Sequence, residues 1–356
     1  MKKTILATAI AAAVMAAPMT AAANVVIYGK IHASIDYVDP KDDFFRPGDE
    51  LLNDLLDSDV FSSNGNWNVQ SRTSRIGFKG SEDLGNGLKA IWKAEIGYDI
   101  TGEHFETSGW GVGRNSYIGL AGDWGTFLVG RHDTPLKIST GRLDVFADTM
   151  ADYNSTIGFI DLRASKVMAY ISPNWNGFSF AAAGVASEDY GSDLLGDGAY
   201  SIAAMYFNNG FYASAAFEDV SGVTPWDTFD YWRIGAGYIM NAFTFGAIYE
   251  GSEVGEDGFE KLKTNKWQVL GAYDFGNNTV KAMFGQYDPD TDRDGFLNGY
   301  RTSSNNAWAI GWDHKLSVRT KVYALYADSE LALHNARATL DTGGASGFSM
   351  GMVHTF

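Results

Sequence analysis

Apolar and polar residues alternate along most of the chain, and the clearest run is VVIYGKIHASIDYV, residues 25–38. Ile27, Gly29, Ile31, Ala33, Ile35 and Tyr37 fall on one side of an extended backbone, and Tyr28, Lys30, His32, Ser34 and Asp36 on the other, because successive strand side chains point to opposite faces. Trp92, Ala94, Ile96 and Tyr98 repeat the pattern against Lys93, Glu95 and Asp99. Trp232, Ile234, Ala236 and Tyr238 repeat it against Arg233, and Trp267, Val269, Gly271, Tyr273 and Phe275 against Lys266, Gln268 and Asp274. Each segment has one apolar and one polar face.

Counted between turn signals, these segments predict about sixteen strands, starting near residues 24, 69, 87, 113, 125, 163, 177, 199, 210, 229, 242, 264, 278, 305, 316 and 345. Short connections (83–86, 174–177, 208–210, 276–278) alternate with long ones (38–68, 100–112, 132–162, 288–304). That is the rhythm of an up-and-down barrel in an outer membrane, with turns on one side and loops on the other. A soluble two-sheet sandwich also alternates. Sixteen strands without a break in composition are too many for one, whereas closing the sheet removes its edges. Trp and Tyr gather near strand ends, as interfacial girdles do. The uncharged run 198–217 is broken by Asn208, Asn209 and Gly210, which read as a tight turn between two strands.

The first 23 residues stand apart from this pattern. Lys2 and Lys3, an apolar stretch over 4–17 and Ala21, Ala22 and Ala23 predict a cleaved secretory signal peptide, so that the fold begins at Asn24 and runs to Phe356. With that leader goes part of the basic charge: the chain carries −16 at pH 7, and −18 without the two lysines. A surface this acidic argues against a nucleic-acid partner. There is no cysteine, although an exported chain meets conditions where disulfides form. The predicted fold is an all-β, 16-stranded, antiparallel transmembrane barrel.

IYGKIHASIDY from Ile27, SRIGFKGSEDLGNGLKAIWKAEIGY from Ser74, RNSYIGLAGDWGTFLVGRHDTP from Arg114, SPNWNGFSF from Ser172 and the terminal GMVHTF resemble segments of Gram-negative general porins. The resemblance implies a homotrimeric, water-filled channel for passive diffusion of ions and small hydrophilic solutes in the outer membrane of a Gram-negative bacterium. It also implies that the third long loop, about 132–162, folds into the lumen as a constriction, its acidic residues facing basic residues on the wall. Here the loop supplies Asp144, Asp148 and Asp152, with Asp133 at its start, and the wall supplies Lys30, Arg75, Arg114 and Arg163. Parity supports Lys30 and Arg75, since a charge on the lipid side costs about 2–4 kcal/mol at mid-membrane. The four-residue spacing of LDVFADTMAD, residues 143–152, predicts one acidic face of a helical turn. The loop lacks the Pro-Glu-Phe-Gly type of motif found in many porins.

The acidic mouth and loop carboxylates together predict a mild cation preference. A substrate-selective nutrient channel, and a closed barrel acting as an enzyme or surface-binding protein, are alternatives that the residues leave open. No GxSxG nucleophile signature occurs. GWGVGRNS at 109–116 leads into a strand rather than the helix a phosphate loop needs. The six histidines show no metal-ligand spacing. In DTDRDG, Asp290, Asp292 and Asp294 precede a glycine as in the first half of a calcium loop, but the twelfth position is Arg301 rather than Glu. Acidic outer loops of this kind also share divalent ions with lipopolysaccharide phosphates. The aromatic terminus, Phe356, resembles the signal read by the barrel-assembly machinery. Small outward residues such as Gly29 and Ala33 predict close wall-to-wall packing in the trimer.

Overall fold

The computed structural model describes residues 24–41, 65–102, 112–185, 198–224, 227–258, 261–289, 304–330 and 344–356. The expected leader, the run with Asp290, Asp292 and Asp294, His104, His334 and most of the first long connection lie outside the described residues.

Among them, eighteen hydrogen-bonded segments follow one another in a single antiparallel sheet. Two wall strands are each built from two segments. Asn66–Ser71 and Arg75–Gly85 both pair with Asn24–Pro40, while Val112–Gly113 and Ser116–Gly122 both pair with Leu88–Gly97. The wall therefore has sixteen strands. Asn24–Pro40 also pairs with Ala345–Thr355, from Lys30 opposite Thr355 to Pro40 opposite Ala345, and so closes the cylinder. No described helix is long and apolar enough to cross a membrane. In hydrocarbon every backbone N–H and C=O needs a partner, and closure supplies one to both edges.

The predicted strand starts fall within a few residues of the observed ones. Short connections use the turn chemistry of Asn-Gly, with φ of 51° and 77° at Asn86 and Gly87 and of 49° and 80° at Asn209 and Gly210. The start expected near 316 is at Thr320 instead. Leu316 N and Ser317 N both donate to Thr320 O, at 2.9 and 3.1 Å, which makes residues 316–319 a turn. The strand expected from 69 is interrupted at residues 72–74. There Thr73 adopts a φ of 49°, and buried Arg72 reaches Ser34 Oγ (3.1 Å) and the Asp36 carboxylate.

Burial follows the parity of the sequence. Ile31 and Ile35 are exposed on the outside at 40% and 48%, whereas His32, Ser34 and Asp36 between them are buried inside. Exposed Trp124, Trp175, Phe243 and Trp312 lie towards the short-turn rim and Trp67, Trp232 and Trp308 towards the other. Gly29 departs from expectation: a methyl group there would sit 2.3 Å from Phe356 Cζ, so the terminal ring already covers this part of the wall.

Gly29 and Phe356 exchange backbone bonds of 3.0 and 3.2 Å at the seam. Deleting Phe356 should therefore sharply reduce the yield of heat-resistant folded barrel on a gel, while deleting a residue from an outer loop tip should leave it nearly unchanged. Equal yields would separate the terminal residue from closure.

Candidate functional site

Residues 134–162 leave the wall after Gly125–Asp133 and rejoin it at Arg163–Ile171. A short helix, α1 (Pro135–Thr140), starts where Thr134 Oγ1 accepts from Lys137 N at 3.4 Å and Pro135 presets the first helical φ. A 3₁₀ turn, Gly141–Leu143, follows, and one helical turn, α2 (Tyr153–Thr156), is capped by Asp152. Leu136, Leu143, Phe146, Met150, Ile157 and Phe159 are each 3% exposed or less, because the loop turns its apolar side to the wall.

The wall receives four of them at glycines. A methyl group on Gly235, Gly237 or Gly246 would lie 2.7, 2.8 or 3.0 Å from a Leu143 methyl carbon. At Gly285 it would meet Ile157 Cδ1 at 2.4 Å, at Gly311 Phe146 Cε1 at 2.8 Å, and at Gly347 Met150 Cε at 2.9 Å. A side chain at these positions would require the facing loop side chain to give way.

Arg233 is the polar anchor. It is fully buried and projects from wall strand Thr228–Met240. Nε donates to Glu250 at 2.8 Å, while the other nitrogens reach the loop at Thr140 Oγ1 (2.8 Å), Asp161 Oδ1 (2.7 Å) and Ile160 O (2.7 Å). Lys266 neutralises the other Glu250 oxygen at 2.9 Å. Lys281 donates to Val145 O at 2.8 Å, and Ser329 Oγ to Thr156 O at 2.9 Å.

The three aspartates separate. They do not stack on a helix, because each makes a local bond that competes with one. Asp144 Oδ1 accepts from Phe146 N at 2.9 Å and Asp152 Oδ1 from Asn154 N at 3.0 Å, turns in which the side chain bonds the backbone two residues on. Asp148 has a φ of 62°, and its N–H donates to Asp152 Oδ2 at 2.8 Å. Like charges four apart also repel on a helix. Only Asp148 meets the predicted wall cations, forming an ion pair with Lys30 and lying 3.7 Å from Arg75.

Arg114 and Arg163 take different partners. Arg114 binds Glu95 at 2.7 Å, a carboxylate that also meets Lys93 at 3.2 Å and accepts from Tyr28 Oη at 2.8 Å. Arg163 binds Asp133 at 2.9 Å; the two stand opposite each other on adjacent wall strands, so this pair stays on one wall. Lys137 approaches Asp133 at 3.3 Å. Sequence reasoning left out Lys93, Glu95, Lys137, Arg233, Glu250 and Lys281 as site residues. Inward parity marked Lys93, Glu95 and Arg233, but their partners depend on cross-strand register. Among the described residues no three or more metal-ligating side chains converge.

The loop carboxyls differ in their proton affinity. Burial pushes Asp148 up, but Lys30 and Arg75 outweigh it and hold the group down at about 2. Burial first, and then the charges of Asp148 and Asp161, raise Asp152 to about 6 against two backbone donors. Asp144 is raised well above the usual range by burial and then by Asp152, against the backbone donors of Phe146 and Tyr153.

A family model described as Gram-negative porin matches residues 7–331. The chain belongs to this family. It is 28% identical over 332 residues to the major outer membrane protein P.IB of Neisseria meningitidis serogroup B, a match spanning 90% of this chain and 91% of that one. It is 31% identical over 227 residues to P.IB of Neisseria gonorrhoeae, spanning 61% of this chain but only 56% of the relative. In fold, the porin is similar to an anion-selective porin from Comamonas acidovorans, with a TM-score of 0.73, 22% identity and coverage of 94% and 100% of the two chains. The porin resides in the outer membrane.

Two outcomes follow for the loop. Leu143→Ala should cost about 2–5 kcal/mol of loop attachment, and Arg233→Met, which strips a buried charge partner from Glu250 and Asp161, roughly 3–5 kcal/mol. Both should give noisier single-channel currents in barrels that remain heat-resistant; quiet traces from both would show that the loop is held elsewhere.

Attachment should also depend on pH. The depressed Asp148 contributes above its unfolded value of about 3.9 and is lost as pH falls towards about 2. The raised Asp152 works in the opposite sense, weakening the packing as pH rises from its unfolded value through about 6. Hydrogen-exchange protection of residues 144–157, corrected for intrinsic rates, should therefore be higher near pH 4 than at pH 7, and Asp144→Asn should shrink the difference. Higher protection at pH 7 contradicts this.

Proposed function

We propose that the barrel is a passive, non-enzymatic diffusion channel for ions and small hydrophilic solutes, narrowed by the 134–162 loop. The observation that carries this reading is the meeting of loop Asp148 with Lys30 and Arg75. Fixed charges facing one another across a narrow aqueous passage orient polar solutes and make ordered water costly for apolar ones to displace.

On this reading the constriction itself favours the opposite sign from the mild cation preference that follows when all three aspartates are counted there. Asp144 and Asp152 are engaged within the loop. Lys30, Arg75, Lys93, Lys137, Arg114 and Arg163 stand against Asp148, Glu95 and Asp133, so the narrow part favours anions. The charge of −18 that remains without the two leader lysines still enriches cations at the mouth. The mouth is screened first, because the screening length falls from about 10 Å at 0.1 M salt to about 3 Å at 1 M, while partly buried charges are screened less.

The resemblance supports a homotrimer. A native mass measurement showing only monomer in mild detergent counts against it. Recognition of Phe356 by the assembly machinery, and contact of the outer rim with lipopolysaccharide, belong to the same reading.

Reversal potentials in planar bilayers test the channel. Selectivity should move towards anions as salt rises, Asp148→Asn should move it further that way, and Arg75→Ala should move it towards cations and raise conductance. Wild-type cation preference that grows with salt, or no shift from either substitution, overturns the assignment of the constriction; absence of any current overturns the channel.

A further inference from the structure

A cavity of about 400 Å³ lies beside the constriction, between the two stems of the loop and the wall. Its lining is mostly apolar, with Ile160, Val185, Val220 and Phe229 among its residues, and its ionisable side chains are Arg163, Tyr200, Glu218 and Tyr231. Glu218 is 1% exposed and Tyr231 is fully buried, yet among the described residues neither Glu218 oxygen nor the Tyr231 hydroxyl makes a hydrogen bond of good geometry. The Thr134 and Ser201 hydroxyls are the neutral polar neighbours of Glu218. Ser201 Oγ already accepts from Leu136 N at 3.1 Å, which leaves its proton free to point at the carboxylate.

Glu218 has no salt bridge among the described residues. Arg163, which also lines the cavity, is engaged with Asp133 at 2.9 Å and Asn115 at 2.8 Å, and Arg233 with Glu250 and Asp161. A carboxylate taken out of water needs a counter-charge and donors. An anion would be repelled by Glu218, and a neutral apolar guest would leave the carboxylate with hydroxyl neighbours but no counter-charge. Val223, 48% exposed, marks where the lining meets solvent.

We propose that this cavity binds a small organic ammonium ion. The ammonium head donates to Glu218 and to Tyr231 Oη, and the apolar body lies against Val185, Val220 and Phe229. The volume falls within the roughly 300–1,000 Å³ of small-molecule pockets, enough for one arylalkyl amine. Arg163 is shared between this cavity and the ion pairs of the constriction, but occupancy of the cavity does not depend on the channel reading.

Isothermal titration of the full, detergent-folded chain with 2-phenylethylammonium tests it, with 2-phenylethanol and phenylacetate as the neutral and anionic controls. One ammonium should bind per chain, the alcohol at least tenfold more weakly and the acid not at all. Glu218→Gln should weaken ammonium binding at least tenfold, Tyr231→Phe a few-fold, and Val220→Trp, which fills the space, should abolish it, each in protein that keeps its heat-resistant folded band. If Glu218→Gln does not fold, the three wild-type probes and Tyr231→Phe decide the matter. No binding of the ammonium, equal binding of ammonium and alcohol, or unchanged binding in folded Glu218→Gln overturns the proposal.

Discussion

A polypeptide immersed in hydrocarbon has no water to satisfy its backbone, and the rest of this molecule follows from that constraint. It forces every strand to have two neighbours, and so joins Asn24–Pro40 to Ala345–Thr355, the two ends of the described chain. Once the wall is closed, its pleat sorts side chains into lipid and lumen. Charges that would be expensive outside are collected inside, where water and one another can satisfy them. The polar lumen is thus a by-product of closure before it is a filter.

The second constraint is that something must narrow the lumen without sealing it. The 134–162 loop is held by shape and by charge at once. Leu143, Phe146, Met150 and Ile157 sit where the wall has only glycine, while Arg233 joins two wall strands' charges to the loop through Thr140, Ile160 and Asp161. Glycine weakens a strand by offering no side chain to pack. Here the missing side chain is supplied from across the lumen, so local strand stability is exchanged for a rigid constriction. The Arg233–Glu250–Lys266 line is expensive to desolvate, and it persists because each charge has a hydrogen-bonded partner of opposite sign.

Much of this was legible in the sequence, for a reason tied to the membrane. Alternation in residues 25–38 identified Lys30 as inward because the penalty for the other parity is large, and the Asn-Gly dipeptides located turns because few residues tolerate positive φ. The loop's polar chemistry was not legible in the same way. Asp144, Asp148 and Asp152 are identical in kind and equal in spacing, yet one meets the wall and two bond their own backbone. Glu95 and Arg114, or Arg233 and Glu250, meet because of register and strand-end geometry, which periodicity alone does not provide. The receiving glycines gave no signal either: in a sequence a glycine reads as a weak point of a strand, and only the three-dimensional fit shows it to be a socket.

The position of one of those sockets has a bearing on how the molecule forms. Gly347, which receives Met150, lies on the last strand, and Gly235, Gly285 and Gly311 lie on strands that all follow the loop in the chain. The loop therefore cannot finish seating while the chain is still being threaded into the membrane, since part of its seat has yet to be laid down. Contacts between partners so far apart in sequence carry the largest loop-closure cost and form late. A barrel whose last strand has not yet paired therefore lacks the seat for Met150, and the act that seals the wall is also the one that completes the sieve.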